Sequence, residues 1–236
     1  MVAARRGGAP LELIGRTPST AEENLALDVA LLRRLDQLSG DSGASGEALR
    51  FWSCDRPVVV LGRSGRADEE VKVPSCGEAG VPILRRASGG GTVVLGPGCL
   101  SFSLVLGYAG RPALRDVAAS YAIVLGRVAR GLGIPGLARR GVCDLVWRGR
   151  KVSGNAQLRG RHGLVHHGTL LHDFDPALPS RFLHEPRRQP RYRRRRAHAA
   201  FIGNLPLAAE ALMTRLAEAW DARPPPSAMP RSSDEY

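Results

Sequence analysis

A chain of 236 residues with 43% hydrophobic and 5% aromatic content is long enough to bury one good core, so a single globular domain is the default expectation. It holds no run of about eighteen apolar residues and opens without a signal-peptide pattern, which predicts a cytoplasmic protein with no membrane partner. Basic residues outnumber acidic ones by 34 to 22, a net charge of +12 carried almost wholly by arginine because Lys72 and Lys151 are the only lysines. An anionic partner is expected, whether nucleotide, nucleic acid or acidic protein surface.

The predicted elements begin with a helix over 21–38. Ser19 and Thr20 followed by Glu22 and Glu23 offer an N-cap with a capping box, and Leu25, Val29, Leu32 and Leu35 recur at helical spacing. Residues 40–46, rich in Ser and Gly, read as a surface loop. Short strands are expected over 49–53 and 58–62, then a polar segment broken by Pro74, then a strand over 81–86 that feeds a glycine loop. Runs 92–95 and 101–106 are strand-like and separated by Gly96-Pro97-Gly98, which predicts a hairpin. From 112 to 132 the spacing of Val117, Tyr121, Val124, Leu125 and Val128 is helical, with Gly131, Gly133 and Pro135 to stop it. Three more strands follow over 144–147, 151–158 and 164–171, the first two joined by a tight turn at Arg148-Gly149. A short helix over 176–183, a closing helix over 205–220 and disordered ends at 1–10 and 224–236 complete the reading. Strands come in adjacent pairs with helices between groups, so the fold class is α+β: a mixed or antiparallel central sheet flanked by helices, in one domain over 11–223.

The cysteines Cys54, Cys76, Cys99 and Cys143 are widely spaced with no C-x-x-C pair, so neither a disulfide framework nor a structural metal is indicated and reduced thiols are expected. His162, His166, His167 and His172 lie close in sequence, yet a strand-like run does not guarantee the convergent geometry a metal needs, and no metal ligand is assigned. Three segments carry chemistry. In Arg85-Arg86-Ala87-Ser88-Gly89-Gly90-Gly91-Thr92, the glycines let the backbone approach a ligand and aim N–H groups at it, while the guanidiniums suit a phosphate or carboxylate. The plain alternative is a flexible loop, since neither the Walker A lysine nor the G-x-G-x-x-G pattern is present. Lys151, within the stretch 149–157, is either a strand-held ammonium that stabilises negative charge in a transition state or a solvated hairpin residue. His166-His167-Gly168-Thr169-Leu170-Leu171 is the third segment.

Taken in order, Arg-Arg-x-Ser-Gly-Gly-Gly, Gly-Pro-Gly-x-Leu at 96–100, Arg-Lys-Val-Ser-Gly-Asn-Ala-Gln at 150–157 and His-His-Gly-Thr-Leu-Leu at 166–171 resemble the lipoate-protein ligase A family, within the biotin/lipoate ligase superfamily. The resemblance covers 52–175. It implies that superfamily's α+β catalytic fold, with lipoate activated by ATP and Mg²⁺ to lipoyl-AMP and passed to a lysine of an acceptor domain, such as a 2-oxoacid dehydrogenase E2 subunit or glycine-cleavage H protein. It implies an adenylate pocket built from Arg86, Ser88, Gly89, Gly90, Gly91, Thr92 and Val93 together with Gly154, Asn155, His167, Gly168 and Thr169. Catalytic roles are implied for Lys151, on the carboxyl and phosphate, and for Asp144, orienting the incoming lysine; Val152 and Leu164 are expected to help line the slot for the acyl chain.

Departures from the family pattern matter. The glycine loop continues through Val94, Leu95 and Gly96 where the family has an aromatic, His and Asp, so a polar contact used in nucleotide handling is missing. Many relatives carry a C-terminal accessory domain, whereas only residues 206–236 follow Leu205; adenylation would then call on an accessory partner protein, or the chain would perform transfer alone. Octanoyl and lipoyl transferases share the fold and the lysine but work through a cysteine thioester. One class sets its cysteine just ahead of the His-Gly pair, where this chain has Leu164-Val165-His166. Another sets it in the loop well before the lysine, whereas Cys143 lies eight residues ahead of Lys151, directly before Asp144. Cys143 is the candidate nucleophile of that alternative. The arginine run over 187–196, interleaved with Tyr192, raises nucleic-acid binding as a different class; it reads otherwise as a solvated face or as a dock for an acidic acceptor domain. A non-catalytic lipoate-binding relative is the remaining alternative.

Overall fold

The structure, a computed structural model, describes residues 10–17, 20–41, 46–187 and 189–225. The expected disordered ends fall almost wholly outside these residues, as does most of the Ser/Gly-rich loop. Leu11–Arg16 forms β1, which sequence reasoning does not anticipate. Thr20 and Glu23 close the expected capping box, and α1 runs over Ala21–Asp41, past the predicted 38. β2 (Ala48–Ser53) and β3 (Val58–Leu61) follow. The polar segment is two short helices, α2 (Ala67–Glu70) and α3 (Val73–Glu78); Pro74 sits in the first turn of α3, where its missing N–H breaks no bond. β4 (Ile83–Arg85) and β5 (Val93–Leu95) flank the glycine loop, and β6 is Cys99–Gly107. After a 3₁₀ turn at Pro112–Arg115, α4 (Val117–Leu132) is capped by the Asp116 carboxylate and closed by Gly133 at φ 61°. The chain continues through β7 (Ala138–Arg140), β8 (Asp144–Trp147), β9 (Arg150–Arg159) and β10 (Gly163–Leu171). α5 (Leu178–Phe182), α6 (His198–Phe201), α7 (Ala209–Trp220) and β11 (Ala222–Arg223) complete it.

Eight strands form one mixed sheet in the order β11-β1-β2-β6-β10-β9-β8-β7, and three form a small one in the order β4-β3-β5. The β11-β1 and β1-β2 pairs are parallel and the rest of the large sheet is antiparallel. The hairpin expected around Gly96-Pro97-Gly98 does not form. β5 pairs with β3 in the small sheet while β6 pairs with β2 and β10 in the large one, so this turn carries the chain from one sheet to the other. Gly98 holds φ 75°, and a Cβ there would lie 2.0 Å from the carbonyl carbon of Asp173. Its own carbonyl accepts hydrogen bonds from the amides of His172 and Asp173. Close approach of two distant backbones, rather than hairpin chemistry, is why glycine stands there.

Period-two alternation divides the large sheet into two faces. Leu104, Leu106, Val152, Leu164 and Leu170 pack with Val124, Leu125 and Val128 of α4 and Leu212 and Leu216 of α7. On the opposite face Val105 and Val165 meet Leu31, Leu32 and Leu35 of α1. The small sheet has its own apolar cluster around Val59, Val60, Val94, Phe174 and Phe182, which extends to Ala21 and Leu25 at the start of α1. No helix among the described residues is long and apolar enough to cross a membrane.

Candidate active site

Where the small sheet faces the large one beside α1, a cavity of about 930 Å³ opens, within the size range of small-molecule sites. α1 contributes Leu25 and Asp28, the glycine loop Arg86, Gly90 and Gly91, and the large sheet Lys151, Gly154, His167 and Thr169. Of the residues expected to bind the adenylate or act in catalysis, only Ser88 and Gly89 do not line it.

Lys151 is the second residue of β9, and its Nζ lies 2.7 Å from Asp144 Oδ1 on β8. The second oxygen of that carboxylate accepts from the Tyr192 phenol at 2.6 Å. Asp144 is 6% exposed, so its charge depends on these two partners. Pairing is shifted between Leu145 and Val146, a bulge that sets Gly154 opposite Asp144. A Cβ at Gly154 would fall 3.0 Å from both Cε and Nζ of Lys151; the glycine makes room for the lysine stem.

The loop opposite is held by buried Arg86. Its Nη2 donates to the carbonyls of Gly89 (2.7 Å) and Gly91 (2.9 Å), and its Nε donates to Ser88 Oγ at 3.0 Å. The guanidinium therefore braces the loop as well as lining the cavity, a structural use beyond the anion binding expected of it. With the loop carbonyls turned to Arg86, no hydrogen bond among the described residues uses the amides of Gly89, Gly90 or Gly91. Such free N–H groups beside a cavity suit an anion. Thr92 ties the end of the loop to α2, its hydroxyl donating to Glu70 Oε2 at 2.6 Å, and Val93 pairs with Val60.

A second chain of contacts fixes the loop to the large sheet. Ser88 Oγ is 2.6 Å from His167 Nε2, His167 Nδ1 is 2.7 Å from Asp28 Oδ2, and Arg50 donates to Asp28 Oδ1 at 3.0 Å. Burial alone would raise the Asp28 pKa, but the His167 hydrogen bond and the charges of His167 and Arg50 hold it below the usual carboxylate range. Neighbouring His166 is fully buried, and burial pushes its pKa down to about 3, so it is neutral. His166 contacts Gln157 and Asn155; Asn155 in turn donates to the carbonyl of Cys143 at 2.8 Å. A Cβ at Gly168 would lie 1.9 Å from Asn155 Oδ1. Thr169 Oγ1 accepts from the Gly154 amide at 3.3 Å.

Cys143 lines the cavity with its thiol 3.9 Å from Asp144 Oδ1. Burial first, and then the Asp144 carboxylate, push the thiol pKa up, and Lys151 opposes this only in part. No imidazole is hydrogen-bonded to it among the described residues, since His167 is engaged by Ser88 and Asp28.

Two expectations need correction. Val152 and Leu164 are wholly buried against α4 and α7 and do not touch the cavity; its apolar wall comes from Trp52, Val94, Leu95, Cys99, Leu171 and Phe174. Nor is the arginine run a uniformly solvated face. Arg193 is 4% exposed, stacked over Phe201 at 4.8 Å and paired with Glu185, and Tyr192 reaches Asp144. Sequence reasoning missed Asp28, Glu70 and Tyr192. Asp28 carried a signal, because it interrupts the apolar stripe of Leu25, Leu32 and Leu35.

A family model for the lipoyl protein ligase A/B catalytic domain matches residues 20–216. An octanoyltransferase LipM from Carboxydothermus hydrogenoformans is 34% identical over 65% of this chain and 61% of its own length. A lipoate-protein ligase LplJ from Bacillus subtilis is 30% identical over 66% of this chain and 43% of its own length. The chain thus spans roughly half to three fifths of these curated relatives. Among solved structures, a bi-partite lipoate protein ligase from Thermoplasma acidophilum superposes with a TM-score of 0.71 at 24% identity, covering 92% of this chain and 85% of that one. A lipoate-protein ligase A bound with ATP gives 0.73 at 22% identity, covering 92% and 89%. These likenesses establish the shared fold.

Proposed function

The chain belongs to the lipoyl protein ligase A/B catalytic-domain family, and from that premise we propose that it activates a lipoyl-type carboxylic acid with ATP and transfers the acyl group to a lysine of an acceptor domain. The observation that carries this reading is the convergence of the Lys151 ammonium and the unengaged loop amides on one cavity with an apolar wall. The names of similar proteins support the acceptor class: one relative is an octanoyl-[GcvH]:protein N-octanoyltransferase, and the Thermoplasma ligase is described with its E2 lipoyl domain.

In this reading the acyl chain lies against Trp52, Leu171 and Phe174, and its carboxylate is drawn to Lys151. One carboxylate oxygen attacks the α-phosphorus of ATP, pyrophosphate leaves, and an acyl-adenylate forms. Lys151 and the amides of Gly90 and Gly91 offset the charge that builds on the phosphoryl oxygens; one such donor contributes about 3 kcal/mol. Mg²⁺ would enter with the nucleotide and would offset charge on the triphosphate; among the described residues no group of three or more His, Cys, Asp or Glu side chains is placed to hold the ion by itself. The acceptor amine then attacks the carbonyl and AMP leaves. Asp144 orients that amine, and the amine's proton passes to solvent.

A second reading routes the acyl group from a thioester through Cys143, favoured by the octanoyltransferase relatives and by the thiol's place in the cavity. The first is preferred because the thiolate is the nucleophile, and burial and Asp144 work against it here. Lipoate-dependent exchange of pyrophosphate into ATP is expected for the wild-type protein, falling about a hundredfold in Lys151→Ala, with the circular dichroism of the folded state kept while the melting temperature drops because buried Asp144 loses a partner. Absence of exchange, with transfer from a thioester that vanishes in Cys143→Ser, would select the second reading.

A further inference from the structure

Arginines from three separate segments stand next to residues that line the cavity at Asp144, Lys151 and Arg193, without lining it themselves. Arg139 and Arg140 lie on β7, the outermost strand, in register with Leu145 and Asp144. Arg148 and Arg150 flank the turn between β8 and β9. Arg196 donates to the carbonyl of Gly149 in that turn at 3.0 Å, which ties it to the segment bearing Arg191, Arg194 and Arg195. The same segment touches the end of β7, because a Cβ at Gly141 would lie 3.8 Å from the Tyr192 ring. Apart from Arg196, which is half-buried, the seven arginines named are exposed, and none of them forms an ion pair with a carboxylate among the described residues.

A cluster of like charges without counter-ions raises the potential around the mouth of the site. A lysine presented by a neutral or basic surface would be repelled from it. We propose that this rim docks the acceptor protein and that the acceptor presents its target lysine from an acidic surface. The inference rests on the acyl-transfer reading of the site and names the chemistry of its partner. A protein rather than a nucleic acid is the occupant, because the transfer step at Lys151 and Asp144 consumes a lysine amine, which only a protein supplies.

The test is titration of the wild-type chain with a lipoyl domain of net negative charge, without ATP, followed by transfer kinetics. Three variants are compared: Arg140, Arg191, Arg194 and Arg195 all changed to Ala; the same four changed to Lys; and Arg33→Ala with Arg161→Ala as a control. Arg161 follows the far end of ten-residue β9, about 30 Å from Lys151. The alanine variant is expected to bind the domain and to show a KM for it about tenfold worse at low salt, with lipoate-dependent pyrophosphate exchange unchanged. The lysine variant and the control should match the wild type, and added salt should weaken wild-type binding more than that of the alanine variant. Equal affinity for wild type and alanine variant overturns the proposal. So does micromolar binding of duplex or single-stranded DNA at physiological salt that the alanine changes abolish while domain binding persists. If exchange is absent from the wild type, the reading of the site fails, and the ATP-free titration still decides the rim.

Discussion

At Lys151 an ammonium, a buried carboxylate and a phenol form a chain in which each group fixes the next, Tyr192 to Asp144 and Asp144 to Lys151. Burial and the Asp144 charge push the Tyr192 pKa up, so the phenol keeps its proton and donates. Tyr192→Phe removes one O–H while leaving the ring 5.3 Å from Phe201. A hydrogen bond to a charged group contributes about 1.5–3 kcal/mol, so kcat should fall about tenfold or more with KM for the acid little changed; wild-type kcat would exclude Tyr192 from positioning. The raised thiol pKa of Cys143 predicts slow alkylation by iodoacetamide at pH 8, followed by peptide mass, and labelling as fast as a free thiol would contradict it. Lys151 and the glycine loop were legible in the sequence because each lies within one short segment. Asp28 and Tyr192 were not, since their partners stand 139 and 48 positions away and only the assembled sheets bring them together.

Among the elements, long periodic segments declared themselves and short edge strands did not. α1 and α4 show a 3.6-residue apolar repeat, while β7 reads Ala-Arg-Arg with every residue exposed and offers no alternation to detect. The Gly96-Pro97-Gly98 turn misled for a physical reason: local turn chemistry is the same whether the next strand pairs with the last or enters another sheet. The glycines themselves hold the distinction. Gly98→Ala should destabilise the fold by at least about 2 kcal/mol, because it meets Asp173 and also forces a side chain to φ 75°; an unchanged denaturation midpoint would refute the close approach. Gly168→Ala tests the sheet at the site, where displacing Asn155 would loosen the Cys143 carbonyl it holds.

Over the whole molecule, acid stability follows from two buried groups. Asp28 has a folded pKa below its ordinary value, so its contribution is full above the unfolded value near 3.9 and is lost as pH falls through the folded one. His166 is neutral in the fold, its pKa pushed down to about 3, while in the unfolded chain it takes a proton near 6.5. The unfolded state therefore binds more protons between these values, and stability falls as pH drops from about 6.5 towards 3. The melting temperature should decline over that interval and decline less in His166→Gln; parallel curves would contradict the assignment. The α+β class was readable from residue order, because strand pairs and glycine turns are local, whereas the meeting of three distant motifs was implied only by the family resemblance. The division into two sheets, with the cavity between them, was not readable, since it depends on contacts such as Gly98 with Asp173. The most direct test of the account is the mass of a lipoyl-type acceptor domain after incubation with the protein and lipoate. A gain of one lipoyl group that requires Mg-ATP and disappears in Lys151→Ala is predicted, and a gain that ignores ATP or survives Lys151→Ala undiminished would contradict it.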